Sequence, residues 1–255
     1  MEQIIYEQPL NELVRVSLRL EHILQQLNTL NQQPDSPQNT RLIMRFMTDA
    51  VNILDRPDYK TKLSKEFERY ITVLNPLHND AKVDQKALHS TLTQLKQYKN
   101  YLIDTQGKIA QKLRTNEFLT SIRQSLSIPG GDGCIDTPSY CYWLHQTNEH
   151  QKTQINRWLE ELTNIRQAIS LLLDIIRKSS GPQENLAMKG FYHESLDAQL
   201  PCQLIRIALP KEIPLYPEIS AGRHRFTIRF ITPDIHGRPK QTNQNIRFAL
   251  TKCIL

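Results

Sequence analysis

The sequence predicts an α+β protein, with a helical bundle as the N-terminal domain followed by a small antiparallel β-sheet domain. Three observations predict it. Apolar residues recur at three- and four-residue steps through the first part of the chain, the period of an amphipathic helix. After Ser179-Ser180-Gly181-Pro182-Gln183 the period becomes two, that of a strand with one buried face. The strand-like runs are separated by short connections punctuated by Pro201, Pro210, Pro214 and Pro217, which favours antiparallel pairing. Helices first and sheet last is the α+β order. It sets the domains at 1–180, mainly helical, and 181–255, β-rich and basic.

The first helix is expected from Pro9 to about Leu30, where Leu13, Val16, Leu20, Ile23, Leu27 and Leu30 form one stripe. Arg15, Arg19, His22 and Gln26 form a polar row on another side, either a solvated face or a basic ridge for a partner. The Pro34-Asp35-Ser36-Pro37 cluster ends the helix. A second helix, from about Asn39 to Asp55, carries Leu42, Ile43, Phe46, Met47, Ala50, Ile53 and Leu54. Pro57 biases Arg56 out of helical geometry, and Asp58 is placed to cap a third helix through Leu74. A fourth, about Asp84 to Thr105, has Leu88, Leu92, Leu95, Tyr98 and Leu102 in register; Gly107 separates it from a shorter stretch, Ile109 to Leu126.

Three of the eight glycines fall in Ser127-Ile128-Pro129-Gly130-Gly131-Asp132-Gly133-Cys134, a loop held by specific backbone geometry. Asp136 or Thr137 as cap and Pro138 at the first position start a helix rich in aromatic residues, Tyr140, Tyr142 and Trp143. From Thr153 to Lys178, Ile155, Leu162, Ile169 and Ile176 are seven apart, and Trp158, Ile165 and Leu172 follow by three. That a/d seam suits either the centre of an intramolecular bundle or a dimer contact. Met188–Tyr192, Gln203–Leu209, His224–Ile231 and Asn245–Lys252 read as strands.

At 255 residues the chain can bury a sizeable core. No apolar run approaches the ~20 residues needed to cross a bilayer, and MEQIIYEQPLNE lacks a basic leader followed by an apolar segment, so no secretory signal is expected. Four scattered cysteines suggest free thiols in a reducing cytoplasm. The formal charge of +6 is concentrated. Residues 222–255 hold seven basic residues against Asp234 alone, while the preceding chain balances 25 basic against 25 acidic residues. Concentrated charge favours an anionic partner.

The centre of that charge is Gly222-Arg223-His224-Arg225-Phe226-Thr227-Ile228-Arg229-Phe230. As a strand it presents Arg223, Arg225, Thr227 and Arg229 on one face and His224, Phe226, Ile228 and Phe230 on the other. The basic face is either solvated or a docking surface. Nucleic acid is an alternative partner for such a basic sheet, but stacking platforms need aromatics on the same face as the cations. Here the two phenylalanines lie opposite the arginines, so no nucleic acid is expected.

No catalytic set emerges. The Gly130-Gly131-Asp132-Gly133 loop lacks the phosphate-binding pattern and a preceding strand, and Cys134, Cys141 and His145 have no second ligand pair to complete a zinc site. Neither cofactor nor metal is expected, and an interaction protein becomes the leading class.

Several ordered motifs resemble those of the ZapD family of Z-ring-associated division proteins. Tyr6-Glu7-Gln8-Pro9-Leu10-Asn11-Glu12 is similar to the family's opening FEHPLNE, and Arg123 to Gly131 is similar to its RQRLSIPGG loop. Trp143-Leu144-His145, Leu173-Asp174-Ile175-Ile176-Arg177 and Gly190-Phe191-Tyr192 follow, and Tyr216 to Ser220 leads into Arg225 to Phe230 as YPQIS leads into RFAIRF. The resemblance implies a homodimer that binds FtsZ through its C-terminal tail, bundles protofilaments, supports Z-ring assembly at midcell and lowers GTPase activity. Family positions used for FtsZ binding or bundling match Arg19, Arg56, Arg225 and Arg229. Arg223 joins them as a helper, and Arg15 and Arg114 are possible additions. Two positions depart: Glu117 stands where the family has Arg, and Cys141 where it has His.

Overall fold

The structure, a computed structural model, describes residues 2–255 except Pro34, Cys134, Ala198 and Arg223. Among these, helices precede the main run of antiparallel strands, as the α+β reading requires. The chain forms two compact units, Val16–Leu172 and Met1–Arg15 with Leu173–Leu255. No helix among the described residues is long and apolar enough to cross a membrane.

The chain opens on a strand that periodicity did not reveal, β1 (Gln3–Pro9). The first helix, α1 (Glu12–Gln32), therefore begins after Pro9, where the Asn11 side chain accepts a bond from Val14 N at 2.8 Å. Ser36 caps α2 (Pro37–Leu54), and Asp84 caps α4 (Gln85–Asp104) by accepting from Lys86 N and Ala87 N. Asp58 precedes α3 (Tyr59–Leu74) without a side-chain cap bond; its carboxylate pairs with Lys62 one turn on. The Ile109–Leu126 stretch is two short helices, α5 (Gln111–Arg114) and α6 (Glu117–Leu126), the second capped by Asn116.

Aromatic side chains join α6 to α7 (Pro138–Leu144) and α8 (Asn148–Glu161): Trp143 lies 5.7 Å from Phe118 and 5.9 Å from Trp158, centroid to centroid. The single helix expected over 153–178 is divided. After α8 the amide of Leu162 bonds back to Leu159 and Glu160, and α9 (Thr163–Lys178) follows. The apolar period survives this break. Ile155, Leu162, Ile165, Ile169, Leu172 and Ile176 are buried within one copy of the chain and Trp158 is half-buried, so most of the seam is interior, as the bundle alternative has it. The glycine loop is held tightly. Ser125 Oγ donates to Gly131 O at 2.5 Å, and a Cβ on Gly131 would fall 1.8 Å from Ser125 O.

The remaining strands form two sheets. One has the order β1-β4-β8-β2, built from β1, β2 (Gln183–Ala187), β4 (Cys202–Pro210) and β8 (Ile246–Ile254). The other has the order β3-β6-β5, built from β3 (Phe191–Ser195), β5 (Tyr216–Ala221) and β6 (Arg225–Thr232); β7 (Lys240–Gln241) also pairs with β6. The expected strand Met188–Tyr192 is instead the corner between the sheets. Lys189 and Gly190 both take positive φ, and Phe191 N bonds to Met188 O at 3.0 Å. A Cβ on Gly190 would meet Thr242 O at 2.6 Å. Between the sheets lie Ile205, Ile207, Leu209, Phe248 and Leu250 from one side and Phe226, Ile228 and Phe230 from the other.

On the outer side of the first sheet, Glu7 of β1 accepts a two-pronged bond from Arg177 of α9 and another from Arg206 of β4, all at 2.9 Å. Burial alone would raise this carboxyl, but the two guanidiniums outweigh it and hold Glu7 below its ordinary 4.5. A lowered folded-state value gives stability that is full above 4.5 and is lost as pH falls through the lowered value. Glu7→Gln is therefore expected to cost about 2 kcal/mol near pH 7, less than a fully buried pair because water reaches the site. The gap from wild type should shrink steadily in acid denaturant titrations; a gap independent of pH would refute this account.

Candidate functional site

The site is built on β6. Phe226, Ile228 and Phe230 are 1%, 0% and 0% exposed, so the pleat turns Arg225, Thr227 and Arg229 to the open face. Register then adds neighbours that no reading of the strand alone supplies. Directly paired residues share a face. Phe191, His193 and Ser195 of β3 stand opposite Arg229, Thr227 and Arg225, and Glu218 and Ser220 of β5 stand opposite Arg229 and Thr227. Arg229 Nη2 pairs with Glu218 Oε2 at 2.9 Å. Arg225 has no acidic partner within ion-pair distance among the described residues.

An open depression of about 650 Å³ is lined by Phe191, His193, Ser195, Ser220, Arg225 and Thr227, among others. Phe191, 39% exposed, lies flat against the His193 ring at 5.8 Å. Glu194, at the margin, is neutralised by Lys252 and lies 2.8 Å from the Tyr192 hydroxyl. Burial first, then that carboxylate, push the Tyr192 hydroxyl up to about 12. The ground on which base stacking was set aside therefore falls, because aromatic rings do lie on the face of the arginines, contributed by the adjacent strand.

Other sequence-selected residues lie elsewhere. Arg19 is exposed on α1 and Arg56 is exposed between α2 and α3. The buried bond between Ser17 Oγ and Tyr59 Oη, 3.0 Å, joins the helices that carry or follow them. Arg15 is half-buried, paired with Glu12 at 3.5 Å. Arg114 is held by Asp55 at 2.8 Å and by Gln111 at 2.9 Å. The Asp55 carboxyl lies below its usual range chiefly through its bond from Lys108, with Arg114 and Arg123 adding attraction against burial. Glu117 is exposed in the first turn of α6, and Cys141 is half-buried in α7. Arg223 lies outside the described residues. No group of three His, Cys, Asp or Glu among the described residues could hold a metal ion.

Comparison with known proteins places this site in context. The family model described as "ZapD: Cell division protein" matches residues 18–229. The chain belongs to the ZapD family. "Cell division protein ZapD" of Coxiella burnetii (strain RSA 331 / Henzerling II) is 40% identical over 252 residues, covering 98% of this chain and 97% of the relative. The ZapD of Methylococcus capsulatus (Bath) is 34% identical over 253 residues, covering 99% of both. That of Azoarcus sp. (strain BH72) is 31% identical over 252 residues. Membership gives the chain a role in cell division.

Face assignment makes a stability prediction. Phe226→Ala is expected to cost about 3–5 kcal/mol, and Arg225→Gln to stay within about 0.5 kcal/mol of wild type. Denaturant melts of both variants check this; comparable losses would mean that Arg225 is structural.

Proposed function

We propose that the protein is a non-enzymatic division factor that binds FtsZ directly, through the C-terminal tail of FtsZ, and bundles FtsZ protofilaments as a homodimer. In this reading it acts in the cytoplasm at the midcell division site, enhances Z-ring assembly and lowers FtsZ GTPase activity by holding filaments together. The observation that carries the reading is the pair of guanidiniums, Arg225 and Arg229, on an open sheet face of a ZapD-family chain. Arg19 and Arg56 are the proposed contacts in the helical unit; Arg223 and Arg15 are proposed helpers. Arg114, engaged with Asp55, would contribute only by exchanging that partner.

Physical chemistry supports this reading. A guanidinium meets a carboxylate through two parallel hydrogen bonds. The Arg229–Glu218 pair is exposed on both sides, with side chains 57% and 46% accessible, so it contributes under about 1 kcal/mol. Exchange for a partner's carboxylate therefore costs little. Each such contact is weak, but a dimer on a repeating filament gains avidity from the effective concentration of its second site. Bundling then needs neither nucleotide nor catalysis, and exposed pairs screened over ~8 Å at physiological salt make it salt-sensitive.

The test is co-sedimentation with FtsZ filaments, full-length and lacking the tail. Wild type should pellet with full-length filaments and raise light scattering, less so without the tail. The Arg225→Glu, Arg229→Glu double variant should lose bundling by roughly tenfold or more, a fall of at least ~1.4 kcal/mol in summed contact energy. Undiminished bundling by the double variant would remove the sheet face from the mechanism.

A further inference from the structure

We infer that the open face of the second sheet seats an acidic protein segment carrying an apolar side chain beside its carboxylates. Phe191 and His193 form the apolar half of the seat and Arg225 the charged half. The inference rests on the reading that this face docks a protein, and adds to it what that protein must present.

Register sets the two halves on one face, with His193 diagonally next to Arg225 and Phe191 two residues further along the strand. β3 sets Phe191 and His193 across from Arg229 and Thr227 on the same face as Arg225, and the depression runs between them to Ser220 of β5. The Phe191 ring is already stacked on His193, so it offers apolar area at little cost in side-chain order. Charge around the seat favours a carboxylate. Arg225 has no acidic partner within ion-pair distance among the described residues, Arg229 holds only the exposed Glu218, and the Glu194 charge is balanced by Lys252.

The same features argue against single-stranded nucleic acid. Such strands carry one negative charge per nucleotide and stack successive bases on several rings. Among the described residues this face offers two guanidiniums, one of them already paired with Glu218, and a single exposed phenylalanine beside one imidazole. A segment with a few carboxylates and one apolar anchor fits it better.

The test uses the full chain and two synthetic acidic decapeptides, identical except that one has a leucine in place of a central serine, read by fluorescence anisotropy at low salt. The leucine peptide should bind about fivefold more tightly, the scale of one apolar anchor. Phe191→Ala should erase that preference, Phe191→Leu should keep most of it, and Arg225→Gln should weaken both peptides. Thermal melts matching wild type establish that the variants are folded. Equal binding of the two peptides, no binding of either, or a preference that survives Phe191→Ala overturns the inference. So does an oligo-dT strand that binds more tightly than both peptides and is lost in Phe191→Ala, which would assign the face to nucleic acid. A leucine preference in a protein that fails to pellet with FtsZ would refute the FtsZ partner while upholding the seat.

Discussion

Alternation along a single strand is the constraint on which the sheet unit depends. Phe226, Ile228 and Phe230 fill the space between two sheets, and a shift of one residue would bury Arg225 and Arg229 in their place. The cost of burying two guanidiniums without partners forbids that shift. The core therefore fixes the open face. Once β6 is set, pairing with β3 and β5 brings Phe191, His193, Ser220 and Glu218 around the arginines without further instruction.

The first sheet supplies the other wall of that core. Phe248 approaches Phe230 to 5.1 Å and Tyr192 to 5.3 Å, centroid to centroid. Its outer side buries Leu204 and Cys253 and is also tied by a charge network: Glu7 draws together β1, β4 and the end of α9 through Arg206 and Arg177. The strand at the start of the chain is thus part of the sheet unit. In the helical unit, aromatic stacking among α6, α7 and α8 and the tightly wrapped Gly131 turn play the corresponding parts.

Much of this was legible because it is local. The breaker between the first two helices, the seven-residue stripe ending at Ile176 and the alternation in β6 are all written within a few residues of where they act, although the caps expected at Asp58 and Thr137 form no side-chain bond. What escaped was non-local. β1 pairs with Cys202–Pro210 some two hundred residues away, so nothing in Gln3–Pro9 alone announces it. Lys189 in left-handed geometry turned an apparent strand into a corner, and the break at Leu162 left the apolar period intact while dividing the helix. The site followed the same rule. Arg225 and Arg229 could be placed from their own strand, whereas Phe191, His193 and Glu218 needed the register. The one available signal was the alternation of Phe191, His193 and Ser195 after Gly190.

The central claim is that this sheet face is covered when the protein engages FtsZ. Hydroxyl-radical footprinting with and without filaments measures it at the side chains themselves. Modification of Phe191 and His193 should fall severalfold on adding filaments, while Ile235, 93% exposed in a loop of the same unit, keeps its rate. Unchanged modification of Phe191 and His193 in a sample that bundles filaments would contradict the account.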